Sequence, residues 1–327
     1  MATPSLDNKR DTIKHEILNQ HNRTNDTLYK QNLSFALRYI IEGIKNNSDT
    51  MIIEYFRWML DNMRHRGYDI EIIKQMFESL QTRFKAYFGK TLLEKISFET
   101  ITQTLSLSDM KNDDDAHPHK PYLRALLDKN KHQAHDIVHQ YFNDGMPIDE
   151  IYTTIIQPAL YDIGHLWQTG EINVADEHLA TVISQYVLTT LYPFIFATEN
   201  HQYKAVGTSI GNERHEIGIR MIMDMFEYYG WNTQYLGANT PKNIFIKFIK
   251  DYQPDLVALS LTLSIHFSDL KDTIQQIKAD PSLNHVKVII GGQPFKHNKK
   301  LIEQSGADAY AKDIKEALKV GEQLVKK

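Results

Sequence analysis

Ala205-Val-Gly-Thr-Ser-Ile210-Gly211-Asn-Glu213-Arg214-His215-Glu216-Ile217-Gly218 is the stretch on which the fold turns. A short apolar run, Ala205–Ile210, reads as a strand; it breaks at Gly211 into a polar loop, and a helical pattern opens beyond it. The same unit recurs to the end of the chain. Thr233–Leu236, Leu256–Leu259, Val286–Ile290 and Ala307–Ala311 read as strands. Helical patterns follow the strands near Glu216–Tyr229, Pro241–Tyr252, Phe267–Ala279, Lys296–Ser305 and Ile314–Val325. Strands alternating with helices predict a five-stranded, doubly wound parallel sheet over residues 201–327. Ligands of such sheets bind outside the C-terminal strand ends, where the loops gather.

Upstream the period is helical throughout. Residues 121–200 predict a four-helix segment, with Ile151, Ile155, Ile156, Leu160, Ile163 and Leu166 on one stripe and Pro158 kinking it. Residues 1–112 predict a separate helical domain, with Asp49 and Asp69 placed as N-caps. The polar run between them makes residues 113–120 a linker. The fold class is therefore α/β plus all-α.

Composition narrows the function. The 327 residues carry a formal net charge of −4, which disfavours a broad nucleic-acid surface, and hold no cysteine, which removes disulfides, thiolate metal sites and thiol nucleophiles. The N-terminal residues are polar, without a signal-peptide core. The longest greasy stretch, Val187 to Ala197, is interrupted by Pro193 and too short to span a bilayer. A cytoplasmic protein with no membrane partner is expected.

Four loops at one sheet edge carry the chemistry. His215 offers a neutral nitrogen to a transition metal, and Glu213 can accept its other ring proton. Arg214 lies between them, and Gly218 lets the helix backbone lie close to a ligand or the sheet. Leu236 closes the second strand. Ser260, Thr262 and Leu263 follow the third, supplying short hydroxyls, and Gly291 and Gly292 follow the fourth, leaving a channel that no side chain obstructs. A flavodoxin-like or Rossmann domain for another ligand is the alternative. The first turn, however, lacks the Gly-x-Gly-x-x-Gly fingerprint, and nothing matches Gly-x-x-x-x-Gly-Lys-Ser/Thr.

Glu-x-His-x-x-Gly, Ser-x-Thr and Gly-Gly, each after a strand and in that order, resemble the base-off, His-on cobalamin (B12)-binding domain, a flavodoxin-like fold. The resemblance covers about the last 125 residues. It implies that His215 is the lower axial ligand of cobalt and that the nucleotide tail threads past Ser260 and the glycine pair. Glu213 stands where many relatives have Asp.

The preceding segment holds Trp167-Gln168-Thr-Gly170-Glu-Ile172-Asn-Val174-Ala-Asp-Glu177-His178. In one unbroken helix Trp167 and Glu177 would lie ~15 Å apart; a turn at Gly170 brings Trp167 near the start of a second helix. Val174, Glu177 and His178 share a face there at i, i+3 and i+4. The segment resembles the helical cap of CarH-type photoreceptors. That likeness implies Trp167 over the adenosyl group of adenosylcobalamin, with Val174, Glu177 and His178 completing its pocket.

Two features depart from that family. Gln168 stands where its best-known members have a His, leaving water, His165 or His178 to take the upper cobalt position after light. Residues 1–112 show no MerR-type winged-helix pattern, so direct DNA binding is not expected. The implied function is a photoreceptor-type sensor in which light breaks the cobalt–carbon bond of adenosylcobalamin and the cap or oligomer rearranges, acting through a homo-oligomer or a regulatory partner, not an enzyme. The alternative is a corrinoid methyl carrier using methylcobalamin, whose caps commonly show Phe-Leu-Pro where this chain has Ile172-Asn173-Val174. A third reading is a module that senses vitamin level or holds a second chromophore in residues 1–112.

Overall fold

A computed structural model describes residues 5–102, 117–196, 203–212, 214–296 and 298–326. The chain divides into two compact units. The first takes the described residues through 102 together with Gln168–Glu171, and the second takes the remainder.

Capping side chains set the helix starts of the first unit. Ser5 caps α1 (Leu6–Gln20), Asp26 caps α2 (Thr27–Lys45), Ser48 caps α3 (Asp49–His65) and Asp69 caps α4 (Ile70–Phe88), each accepting from a backbone N–H of the first turn. The expectation that Asp49 is a cap is corrected. Ser48 has the extended backbone and bonds the Met51 N–H, so Asp49 is already inside the helix. A short helix, α5 (Phe98–Thr102), follows. Phe56, Phe77 and Phe84 are fully buried here, and Phe56 meets Phe77 edge-on at 4.8 Å.

In the second unit α6 (Lys120–Leu127) and α7 (Lys131–Asn143) precede α8 (Ile148–Ile151). Of the expected linker, residues 113–116 lie outside the described residues. His119 is buried with Nε2 2.9 Å from an Asp162 oxygen, and Lys120 already begins α6. α8 passes through a π turn, Tyr152–Ile156, into α9 (Gln157–Thr169), whose last two residues belong to the first unit. The Gln157 N–H bonds the Tyr152 carbonyl, five residues back. The wider turn falls immediately before Pro158, which has no N–H to give and whose ring crowds the preceding turn. The irregularity expected at Pro158 therefore takes the form of an extra residue in the turn. α10 (Val174–Thr190) starts at an Asn173 capping box with Asp176, and α11 (Tyr192–Ile195) follows.

The α/β portion runs β1 (Lys204–Ser209), α12 (Ile217–Tyr228), β2 (Asn232–Tyr235), α13 (Lys242–Tyr252), β3 (Leu256–Ser260), α14 (Phe267–Ala279), β4 (Lys287–Gly291), α15 (Lys299–Ser305), β5 (Ala309–Tyr310), α16 (Ile314–Val325). All pairs are parallel and the order is β2-β1-β3-β4-β5. The central strands are largely buried on both faces, as a sheet covered on both sides requires. The order reverses between β1 and β3, which is the place for a ligand crevice. Among the described residues no helix is long and apolar enough to cross a membrane.

α12 joins the two halves of this unit. Ile219, Met223 and Phe226 pack on the sheet with Ala205, Leu256 and Ala258. Ile217, Met221 and Met225, on its other side, enter the helical core with Tyr122, Ile151, Ile155 and Val187. Gly207 makes the approach to β1 possible, since a Cβ there would lie 2.4 Å from Met223 Sδ. A polar seam runs beside these contacts. Arg220 donates twice to the Tyr192 hydroxyl, at 2.9 and 2.8 Å, and the Tyr152 hydroxyl donates to Asp224 Oδ2 at 3.2 Å. Burial pushes the Asp224 carboxyl up to about 6, against the pull of Arg220.

Because Asp224 keeps its proton to higher pH in the folded chain than in the unfolded one, its ionisation penalty grows as pH rises from about 4 to about 6 and is constant above. Asp224→Asn removes that penalty. Its stability relative to wild type should climb by roughly 3 kcal/mol between pH 4 and pH 7, read from urea unfolding. A difference that stays flat across this range would show that the buried carboxylate carries no such penalty.

Candidate functional site

Three strand ends lie side by side at the crevice: Ser209 of β1 is in register with Ser260 of β3, which is in register with Gly291 of β4. The loops leave this edge from fixed roots. Ile210 N–H bonds the Ser260 carbonyl, Leu261 N–H the Gly291 carbonyl and Leu236 N–H the Gly207 carbonyl, at 3.0, 3.0 and 2.9 Å.

The loop after β1 is shaped from below. Gly211 has φ +79°, and a Cβ there would stand 2.4 Å from the ring of His266, a buried side chain from the loop after β3. Only glycine both accepts that backbone and lies flat on the imidazole. The Ser209 hydroxyl then donates to the carbonyl of His215 at 3.1 Å. His215 and Arg214 are exposed. Glu213, the expected partner of the His215 ring, lies outside the described residues. Glu216 is a cross-brace: Oε2 accepts from Ala238 N–H and Oε1 from the Gln185 amide of α10, both at 3.0 Å. Gly218, in the first turn of α12, is exposed, and a Cβ there would meet nothing within 4 Å.

Across the switch point Leu236, Ser260, Thr262 and Leu263 are all half-buried. Gly291 is an ordinary strand end whose Cβ would lie 3.2 Å from the Ala311 carbonyl oxygen. Gly292 has φ +123°, and a Cβ would sit 1.8 Å from the Leu261 carbonyl oxygen. On that side the space is filled by backbone instead of forming the open channel expected from the glycine pair, so glycine is required at 292 for two loops to touch.

The second group of residues flanks the turn at Gly170, where the chain breaks as the spacing predicts. α9 ends at Thr169, Gly170 has φ +81°, and Ile172 N–H bonds the Leu166 carbonyl at 3.3 Å. Trp167 is half-buried in the last turns of α9. Val174 (51 % exposed) and His178 are open to solvent on α10. Glu177 is half-buried, with Oε2 2.5 Å from His178 Nδ1 and Oε1 accepting from the Thr181 hydroxyl. Gln168 is committed elsewhere: its amide donates to Asp61 Oδ2 at 2.8 Å within the first unit.

Ser209, Glu216, Gly211 and His266 are the residues that sequence reasoning missed. Glu216 stands inside the quoted motif, yet its partners come from two other segments, and nothing local marks it. Gly211 carried a signal, as a glycine directly after a strand.

These residues suit one kind of metal group. Among the described residues no cluster of three or more His, Asp or Glu side chains is placed to hold an ion. One exposed imidazole supplies one ligand, which fits a metal that arrives inside a macrocycle. The open space at Gly218, three residues further on in the first turn of α12, leaves room for the rim of such a ring.

Residues 203–319 match the family described as B12 binding domain, and residues 119–192 match a second family of the same description; together they take in more than half of the chain. The chain is 25 % identical over 170 residues to the HTH-type transcriptional repressor CarH of Myxococcus xanthus, a match covering 50 % of this chain and 56 % of that protein. It thus spans little more than half the length of that relative. It is 22 % identical over 181 residues to dimethylamine corrinoid protein 3 of Methanosarcina acetivorans, covering 55 % of this chain and 84 % of that one. In fold it is similar to the monomethylamine corrinoid protein of Methanosarcina barkeri, with a TM-score of 0.57 and 19 % identity, over 64 % of this chain and 99 % of that structure.

The two glycines separate packing from ligand space. Gly218→Ala should leave the ligand-free fold intact, or more stable by up to about 1 kcal/mol, while weakening corrinoid binding. Gly292→Ala should lower the stability of the ligand-free protein by about 3 kcal/mol through strain and overlap. Thermal melts of both variants without ligand, followed by corrinoid titration, check the pair; equal destabilisation would contradict the assignment.

Proposed function

We propose, from the premise that the chain is a cobalamin-binding protein built on two B12-binding domains, that it is a sensor with adenosylcobalamin as cofactor and light as its signal. The observation that carries the reading is the pairing of the His215 edge with the half-open group Trp167, Val174, Glu177 and His178 in one compact unit. The similarity to CarH supports it.

In this reading His215 would give a ring nitrogen to the cobalt of the bound cofactor. Its backbone is held by Ser209, and Glu213 orients the ring. Arg214 and Gly218 flank it. Leu236, Ser260, Thr262, Leu263 and Gly291 would line the way of the nucleotide tail at the switch point, while Gly292 lets two loops touch beside it. Toward the adenosyl group Trp167 would offer a wide flat ring, Val174 a small apolar surface, and Glu177 with His178 a hydrogen-bonding pair. Adenosylcobalamin, when bound, supplies a cobalt–carbon bond that light breaks. The chain's part is to hold Trp167 and α10 in one arrangement while the upper space is filled and another when it is empty. The output passes to a second copy or a regulatory protein in the cytoplasm. Among the described residues of the first unit there is no strand, so the hairpin of a winged helix has no counterpart there.

A second reading has its own support: the corrinoid relatives are matched over most of their length. A methyl carrier would use methylcobalamin and the same His215. Ile172-Asn173-Val174, in place of Phe-Leu-Pro, favours the sensor.

Protein loaded with adenosylcobalamin in darkness should change both its spectrum and its oligomeric mass under green light. An unchanged mass, together with methyl transfer to or from bound cobalamin by a partner methyltransferase, would make it a carrier. His215→Ala should bind cobalamin at least ~10-fold more weakly and with an altered cobalt spectrum; wild-type affinity and spectrum in that variant would remove the axial assignment.

A further inference from the structure

The turn between the helices that carry Trp167 and Val174 belongs to the first unit. The chain crosses into that unit between Trp167 and Gln168 and leaves it between Glu171 and Ile172. Within the unit, α3 and the residue that ends it hold the turn through three side chains. Asp61 Oδ2 accepts from the Gln168 amide at 2.8 Å, while the Gln168 carbonyl accepts from Arg66 Nη1 at 2.6 Å and from Asn62 Nδ2 at 3.3 Å. Arg66 Nη1 also donates to the Asn62 carbonyl at 3.1 Å, so the guanidinium bridges the two backbones. The carbonyl it holds lies in the last turn of α9, where carbonyls lack partners within the helix and favour a cation. Thr169 is buried and donates to Glu171 at 2.9 Å, and a Cβ on Gly170 would come within 3.7 Å of Arg66 Cγ.

We propose that α3 is the receiver of the cobalamin state: the occupancy of the space beside Trp167 is passed to the first unit through the Trp167–Gln168 peptide and the Asp61–Asn62–Arg66 grip. This rests on the reading that places Trp167 over the upper face of cobalamin. A planar peptide fixes neighbouring Cα atoms 3.8 Å apart. A displacement of Trp167 therefore either drags the Gln168 carbonyl off Arg66 and Asn62 or moves α3 with it. Gln168 thereby has a task that a cobalt ligand at this position could not share, because its side-chain amide is held by Asp61 of α3.

The test compares full-length protein without cobalamin, with hydroxocobalamin and with adenosylcobalamin, all in darkness, by hydrogen exchange of the α3 amides and by the cobalamin spectrum. Exchange over the last turns of α3 should differ by about tenfold between the small and the bulky upper ligand. In Arg66→Ala that difference should vanish, and in the milder Gln168→Ala, which keeps the carbonyl contacts, it should shrink, while the spectra of the bound cobalamins stay as in wild type. Identical α3 exchange with both cobalamins bound would overturn the receiver. Loss of the bound-cobalamin spectrum in the wild type would overturn the reading beneath it as well. A difference that persists in both variants would place the route elsewhere and overturn the grip.

Discussion

The second unit depends on one helix having two apolar faces. α12 gives Ile219, Met223 and Phe226 to the sheet and Ile217, Met221 and Met225 to the helical core, so neither core is complete without it. A helix with two apolar faces is stable only when covered on both. Its N-terminus also follows directly on the loop of His215. The residue proposed to hold cobalt is thus mounted on the element that fixes the cap to the sheet, and Glu216 extends the connection to Ala238 and to Gln185 of α10. A shift of the cap relative to the sheet acts first on this helix, and its polar side carries Arg220 and Asp224, whose partners Tyr192 and Tyr152 come from the cap side.

Much of this was legible in the chain. The five apolar runs read as strands are the five strands found, displaced by a residue or two at their ends, because run length and flanking polarity determine which segments can be buried on both faces. The break at Gly170 was equally plain. What stayed hidden depends on contacts between distant segments. Ser48 and Asp49 are both able to cap, and only the backbone conformation chooses between them. Gly292 is required by a carbonyl from the preceding loop, at Leu261. The roles of Ser209, Glu216 and His266 exist only once the loops are side by side. The attachment of Gln168–Glu171 to the first unit is the extreme case, since its partners lie about a hundred residues upstream.

The site also shows two different uses of glycine. At 211 and 292 the missing side chain lets protein lie against protein, on His266 and on the Leu261 carbonyl. At 218 the missing side chain faces open space. The first kind is satisfied by the fold itself, and the second has no explanation inside it. The cofactor proposed to sit against the start of α12 would supply one.

The π turn at Tyr152–Ile156 has a consequence far from its own position. An extra residue in one turn advances everything after it by about 100° around the helix axis. Trp167 lies downstream on the same continuous helical path, while Ile148 and Ile151 lie upstream in the core. The compass bearing of the indole is therefore set at Tyr152–Ile156, as an aiming error is set at the breech of a barrel. Shortening that turn by one residue would leave α9 helical and swing Trp167 to a different side of it.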